Sequence, residues 1–202
     1  MPRRLRLLSW ALLQAGALRV SFRHPRLFWI LMTPALVGSG MATAEGGHPR
    51  AARVGAGWIA SGAGAGLGAY LVTIAAALLL GRHPSGRRWL QQVHSCTGSC
   101  PRPLRAILVV PASIGEELFW REGVLVGDDR KRLRVGSEVA GYLAVQIASG
   151  NPTTVAGGLL LGLVTSLLRS RSGSLAPAWT AHLMFSELTL VWPGLPPKAG
   201  FE

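Results

Sequence analysis

ILVVPASIGEELFWREGVLV, residues 107–126, sets two adjacent carboxylates and an arginine inside an otherwise apolar run. The flanks, Ile107 to Ile114 and Val124 to Val126, are apolar enough to lie in lipid. An ionised side chain at bilayer depth costs roughly 2.5 to 3.5 kcal/mol on insertion scales. Glu116, Glu117 and Arg121 together therefore require a polar interior in which they pair. On a helix, Glu117 and Arg121 are four apart and share a face, so they can form an ion pair. Glu116 points about 100° away, by helix geometry, and lacks that partner. A buried carboxylate without a countercharge is the kind of group that proteins use as a general base or acid. The competing reading is a structural ion pair beside a residue at a water interface. Intramembrane ionisable residues mark functional sites by default.

The rest of the composition agrees with a membrane setting. Of the 202 residues, 49% are hydrophobic and 15% charged, and the mean hydropathy is +0.34. Soluble domains carry about 25% charged residues. The net charge of +12 raises nucleic acid as a partner. Its placement argues against that. The arginines collect at Arg3, Arg4, Arg6, Arg19, Arg23 and Arg26, at Arg82, Arg87 and Arg88, and near Arg130, Arg132 and Arg134, between apolar runs. Loop charges of this kind anchor spans and meet anionic headgroups. The expected partner is the lipid bilayer, and no nucleic acid. Arginine also greatly outnumbers lysine, which fits a GC-rich bacterial genome and a bacterial inner-membrane location. Cys96 and Cys100 in HSCTGSC match neither a zinc-ribbon nor a zinc-finger spacing, and read as two loop thiols. A small-loop disulfide, or a weak zinc site with His83 and His94, is the alternative.

Working outward, residues 1–26 are basic with an apolar middle, Leu7 to Leu18. They resemble a signal peptide in layout. No hydrophilic mature domain follows, so an interfacial helix or a short first span is expected. Leu27 to Ala44 is just long enough to cross. Residues 45–53 form a polar loop. Val54 to Leu80 is the longest apolar run, and its pairs Gly62/Gly66 and Gly64/Gly68 would permit close helix contact in lipid. Gly81 to Arg105 reads as a long polar loop. Leu104 to Val126 carries the glutamates, and Gly127 to Arg134 is a charged loop. Val135 to Gly150 is a short span with Glu138, Tyr142 and Gln146 on one face. Asn151-Pro152 makes a turn. Thr153 to Leu168 is an apolar, glycine-containing span, and Arg169 to Gly173 a basic turn. Ser174 to Trp192 is the last span and holds His182, Ser186 and Glu187. The fold expected is an all-α polytopic transmembrane helix bundle of about six spans. A four-helix core is expected over 104–192, with peripheral spans and a polar loop over 27–103 and a tail at 193–202.

Three of these helices thus carry polar groups at membrane depth. An unpaired glutamate on one and a histidine on another suit water activation. The glutamate would remove a proton and the histidine would hydrogen-bond the developing oxyanion. EELFWR, Glu116 to Arg121, matches the EExxxR motif of the CAAX-protease and bacteriocin-processing (CPBP, or Abi) family of intramembrane glutamic proteases. The segment GGLLLGLVTSLLRSRSGSLAPAWTAHLMFSE, residues 157–187, resembles that family's glycine-rich helix, its turn and its terminal HxxxN motif. His182 falls on the motif histidine, and Gly173, Ser174, Leu175, Pro177 and Ala181 also fit the pattern. The resemblance runs from about Pro103 to Glu187. It has three departures. Glu122 intervenes before Gly123, where the family has glycine directly after the arginine. Ser186 replaces the asparagine of HxxxN. The middle FxxxH motif reads Tyr142 to Gln146, with glutamine in place of histidine.

The resemblance implies an intramembrane endopeptidase with no metal or other cofactor. Glu116 would be the general base, and Glu117 with Arg121 a supporting ion pair. Gln146 would help hold the water, and His182 with Ser186 would stabilise the oxyanion. The substrate would be a membrane-anchored protein or peptide, with processing of C-terminal sorting signals as one role. The alternative is a catalytically inactive relative with an immunity or scaffold role. A proton relay or transporter would favour internal repeats, and none is evident. A zinc protease would need an HExxH helix, which is absent.

Overall fold

The computed structural model of the protein describes residues 3–44, 54–123 and 131–192. The expected loop at 45–53, residues 124–130 and the tail 193–202 lie outside the described residues. The fold is the all-α bundle expected. Eight helices follow in order: α1 (Arg3–Arg23), α2 (Phe28–Ala44), α3 (Ala56–Leu80), α4 (Pro84–Thr97), α5 (Arg102–Glu117), α6 (Lys131–Ile147), α7 (Pro152–Ser172) and α8 (Leu175–Ser186). A 3-10 turn, Pro25–Leu27, joins α1 to α2. Both α5 and α8 run on into π-helical turns, Leu118–Gly123 and Glu187–Val191. Among the described residues, three helical segments are long and apolar enough to cross a membrane: Pro25–Ala44, Ala56–Leu80 and Pro152–Ser172. The other helices are shorter or more charged and pack around these.

Local chemistry sets several boundaries. Asn151 caps α7, its side chain accepting from the Thr153 and Thr154 N–H groups at 2.9 and 3.3 Å. Pro152 fills the first helical position, where no N–H is needed. α7 ends at Gly173, whose φ of 69° is left-handed and suits a residue without Cβ. The helix therefore continues through Arg169 and Arg171 to Ser172, where the sequence suggested a basic turn. Ser174 then caps α8 by accepting from the Ala176 N–H at 3.3 Å.

The segment read as a polar loop, Gly81 to Arg105, contains α4. Its arginines and proline resemble a loop, but its apolar residues fall on one helical face. Trp89, Val93 and Cys96 turn inward, while Arg88, Gln91 and Ser95 are exposed. Cys96 is therefore a helix residue, fully buried, its thiol reaching the Ser21 carbonyl at 3.4 Å. Both cysteines are free thiols.

Glycines let backbones meet. Gly62 and Gly66 of α3 face α8, and a Cβ on either would collide with the carbonyls of Pro177 and Ala181. Gly64 and Gly68 face open space. Gly40 of α2 meets Gly115 of α5, the residue before the two glutamates. α2 and α3 thus wall the helices that carry the polar groups. The outer side of α3 presents Leu67, Leu71, Val72, Leu78 and Leu79, as a lipid-facing helix does.

Candidate active site

Four helices bring their polar groups to one place. Glu116 and Glu117 come from the end of α5, and Arg121 from the π-helical turn that follows. Glu138, Tyr142 and Gln146 come from α6, Thr165 from α7, and His182 and Ser186 from α8. All are buried: Glu117 and Arg121 are each 1% exposed, His182 4% and Glu116 8%. The π turn carries one residue more than a regular α-helical turn would. It absorbs Glu122 while Arg121 stays turned inward, and Glu122 pairs with Arg169 of α7 at 2.6 Å. Gly123 meets Thr43 of α2, where a Cβ would lie 2.6 Å from the hydroxyl.

Arg121 ties the helices together. Its Nε reaches Glu117 at 3.2 Å, the pair expected from their spacing. Its guanidinium also donates to the Thr165 hydroxyl at 2.6 Å and lies 3.8 Å from the Glu138 carboxylate. The same group stands over the Tyr142 ring, 5.7 Å from its centre. Charges that would be costly alone at membrane depth are thereby compensated.

Glu117 has a second partner, 65 residues away. Its other carboxylate oxygen lies 2.8 Å from His182 Nδ1. Glu117, paired with Arg121, is an acceptor, so Nδ1 carries a proton. Nε2 then donates only when the ring is charged, and otherwise offers a lone pair. That nitrogen faces Glu116 Oε2 at 3.5 Å. Glu116 is thus not alone: it faces His182.

A cavity of about 270 Å³ opens beside this cluster. Glu116, Tyr142, Gln146, His182 and Ser186 line one part of it, and apolar residues such as Met32, Ile74 and Leu161 line much of the rest. The arrangement can hold a water and a peptide carbonyl against a carboxylate and an imidazole. Gln146 packs along Gly158, where a Cβ would be 2.5 Å from its Cγ, and its amide makes no hydrogen bond to a described residue. Glu117 and Arg121 stand behind the cavity-lining residues. Glu187 lies in the π turn after α8, away from the cavity lining.

Contacts not predicted from the sequence include Thr165 with Arg121, Glu138 with Arg121, and Glu117 with His182. A threonine in an apolar helix is a faint signal, because it often bonds its own helix, as Thr165 does to Leu161 O at 3.0 Å.

Residues 100–187 match the Rce1-like family model, described as type II CAAX prenyl endopeptidase Rce1-like. The match spans α5 to α8 and the buried polar cluster from Glu116 to Ser186, and it bears out the family resemblance over that segment. The family is a protease family, of membrane-embedded CAAX-type enzymes. No curated protein matches the chain, and no solved structure does.

Proposed function

We propose that this chain is an intramembrane endopeptidase in which Glu116 activates water without a metal. The observation that carries the reading is His182, held by Glu117 at 2.8 Å and facing Glu116 at 3.5 Å on the wall of a cavity. In the proposed reaction a water lies between Glu116 and the scissile carbonyl, with Gln146 as its second hydrogen-bond partner. Glu116 takes a proton from the water as its oxygen bonds to the carbonyl carbon. His182, in its charged form, and the Ser186 hydroxyl donate to the resulting oxyanion. Glu116 then passes the proton to the leaving amine as the C–N bond breaks. The products are a carboxylate and an amine. Glu117 and Arg121 act through His182, fixing its ring and tautomer. The substrate proposed is a membrane-anchored protein or peptide cut near the bilayer, with C-terminal sorting-signal processing as one candidate role. The proposed location is a bacterial inner membrane.

The test uses the full chain in liposomes with two probes. One is a quenched fluorescent peptide ending in a prenylated cysteine, two aliphatic residues and a terminal residue. The other is a set of single-span reporter proteins with cleavable C-terminal tails. Cleavage is compared with Glu116→Gln and His182→Ala at matched protein levels. Loss of a general base should lower the rate by about 10²–10⁴. Equal cleavage by wild type and Glu116→Gln would remove the proposal.

Gln146 supports a second reading, a non-catalytic membrane protein that keeps the fold. Glutamine cannot accept a proton as a histidine can. On that reading Glu116→Gln leaves the protein's cellular role intact.

A further inference from the structure

The helix that carries Glu116 turns one face to the cavity. Val109, Ala112, Ser113 and Glu116 line it, at the i, i+3, i+4, i+7 spacing of a single helical face. α8, which packs against α5, contributes the same pattern through His182, Phe185, Ser186 and Thr189. Ser113 is 2% exposed, and among the described residues its hydroxyl has no hydrogen-bond partner. A serine or threonine inside a helix often bonds the carbonyl four residues back. Thr73 and Thr189 line the same cavity and do so, at 2.9 and 2.7 Å. Ser113 makes no such bond. Gln146 and Ser186 are likewise unpaired, and the proposed reaction gives each of them a task. Thr33 and Thr154, whose hydroxyls are unpaired too, stand on helices that carry neither Glu116 nor His182. Ser113 is thus an unpaired hydroxyl on the wall beside Glu116, with no part in the water or oxyanion steps.

We propose that Ser113 binds the substrate: its hydroxyl hydrogen-bonds a backbone peptide group one or two residues from the scissile bond and aligns the chain against Glu116. This rests on the reading of Glu116 as the base. A peptide entering the cavity leaves water, and each of its N–H and C=O groups then needs a new partner. The walls formed by Met32, Leu36, Ile74 and Leu161 supply none. Three helical residues separate Ser113 from Glu116, about 4.5 Å along the axis. An extended chain advances about 3.3 Å per residue, which sets the distance from the scissile bond. A bond to the backbone, rather than to a side chain, holds an extended segment whatever its sequence.

The experiment compares wild type, Ser113→Ala and Thr73→Val, as full chains in liposomes. The substrate is a synthetic peptide spanning the segment cut in whichever probe wild type cleaves, with the cut located by mass spectrometry. In a matching set of peptides, one amide at a time within two residues of the cut is replaced by an ester. The ester removes the N–H and weakens the carbonyl as an acceptor. Ser113→Ala should lower kcat/KM about fivefold to twentyfold with the melting temperature little changed, and Thr73→Val should stay within about twofold of wild type. At one position the ester should slow wild type by a similar factor, yet slow Ser113→Ala less than about twofold, because the bond is already gone. A Ser113→Ala variant within about twofold of wild type overturns the proposal. So does a loss explained by unfolding, an equal loss in Thr73→Val, or ester effects that are the same in both enzymes at every position. A wild type no faster than Glu116→Gln on both probes overturns the reading beneath and this one with it.

Discussion

Glu116 and Glu117 are neighbours in sequence and differ in what they hold. Glu117 is 1% exposed and bonds both Arg121 and His182, so it ties α8 to the end of α5. Glu116 faces the cavity and carries less of the structure. Breaking a buried ion pair by removing one partner costs about 3–5 kcal/mol, because a charge is left uncompensated. Glu117→Gln should therefore lower both the melting temperature in detergent and any cleavage. Glu116→Gln should abolish cleavage while melting within about 1 kcal/mol of wild type, since its surroundings stay paired. Equal destabilisation by the two variants would contradict this division. Thr165 allows a finer test. Thr165→Val takes the 2.6 Å acceptor from Arg121 and should cost about 1–3 kcal/mol, whereas Thr165→Ser keeps the hydroxyl and should cost less. The Glu117–Arg121 pair was legible in the sequence, because four positions on a helix make one face. The Glu117–His182 bond was not, because it joins residues 65 apart whose approach depends on how α5 and α8 pack.

Packing between helices has its own code, and α3 shows how far a sequence carries it. Two glycine pairs, Gly62/Gly66 and Gly64/Gly68, offered the same small-residue spacing. The period alone does not choose between faces 200° apart, by helix geometry. The choice falls to the partner: α8 presents Pro177 and Ala181, and its backbone comes close enough that only the first pair's lack of Cβ permits it. Gly66→Val should push α3 off α8, displacing His182's helix, and so lower both melting temperature and cleavage. Gly68→Val, with nothing within 4 Å of the added Cβ, should leave both near wild type. Thermal unfolding and cleavage of the same two variants check the pair, and equal effects would refute it. α4 escaped the sequence reading for a related reason. It opens with Pro84, Ser85 and Gly86, which signal a turn, and carries Arg87 and Arg88, which signal solvent. Its apolar face is short, and becomes meaningful only once α1, α2 and α7 are present to receive it.

Across the molecule, α4 acts as a strap over the ends of three other helices. Gln92 donates to Phe22 O of α1 at 3.2 Å, and Trp29 of α2 donates to Thr97 O at 3.0 Å. Asn151, the cap of α7, donates to Trp89 O and to the Gln92 side chain, both at 2.9 Å. Cys96 sits beneath the strap and lines the cavity, as Glu116 does. Burial pushes its thiol up to about 11, so little thiolate forms near neutral pH and the sulfur is also covered. Cys100, at the edge, is partly exposed. With N-ethylmaleimide at pH 7.5, a Cys96→Ser variant should label readily through Cys100, while a Cys100→Ser variant should label slowly until denaturant is added. Raising the pH through 9 towards 11 increases the thiolate fraction at both, but the folded Cys96 should still lag because its cover persists. Trp29→Phe, made in the Cys100→Ser background, removes the bond to Thr97 O and keeps most of the ring's bulk. Losing one buried hydrogen bond of about 1–1.5 kcal/mol should speed native-state labelling of Cys96 roughly fivefold to tenfold. If α4 lay loosely on the bundle, Cys96 and Cys100 would label at the same rate, and Trp29→Phe would change neither.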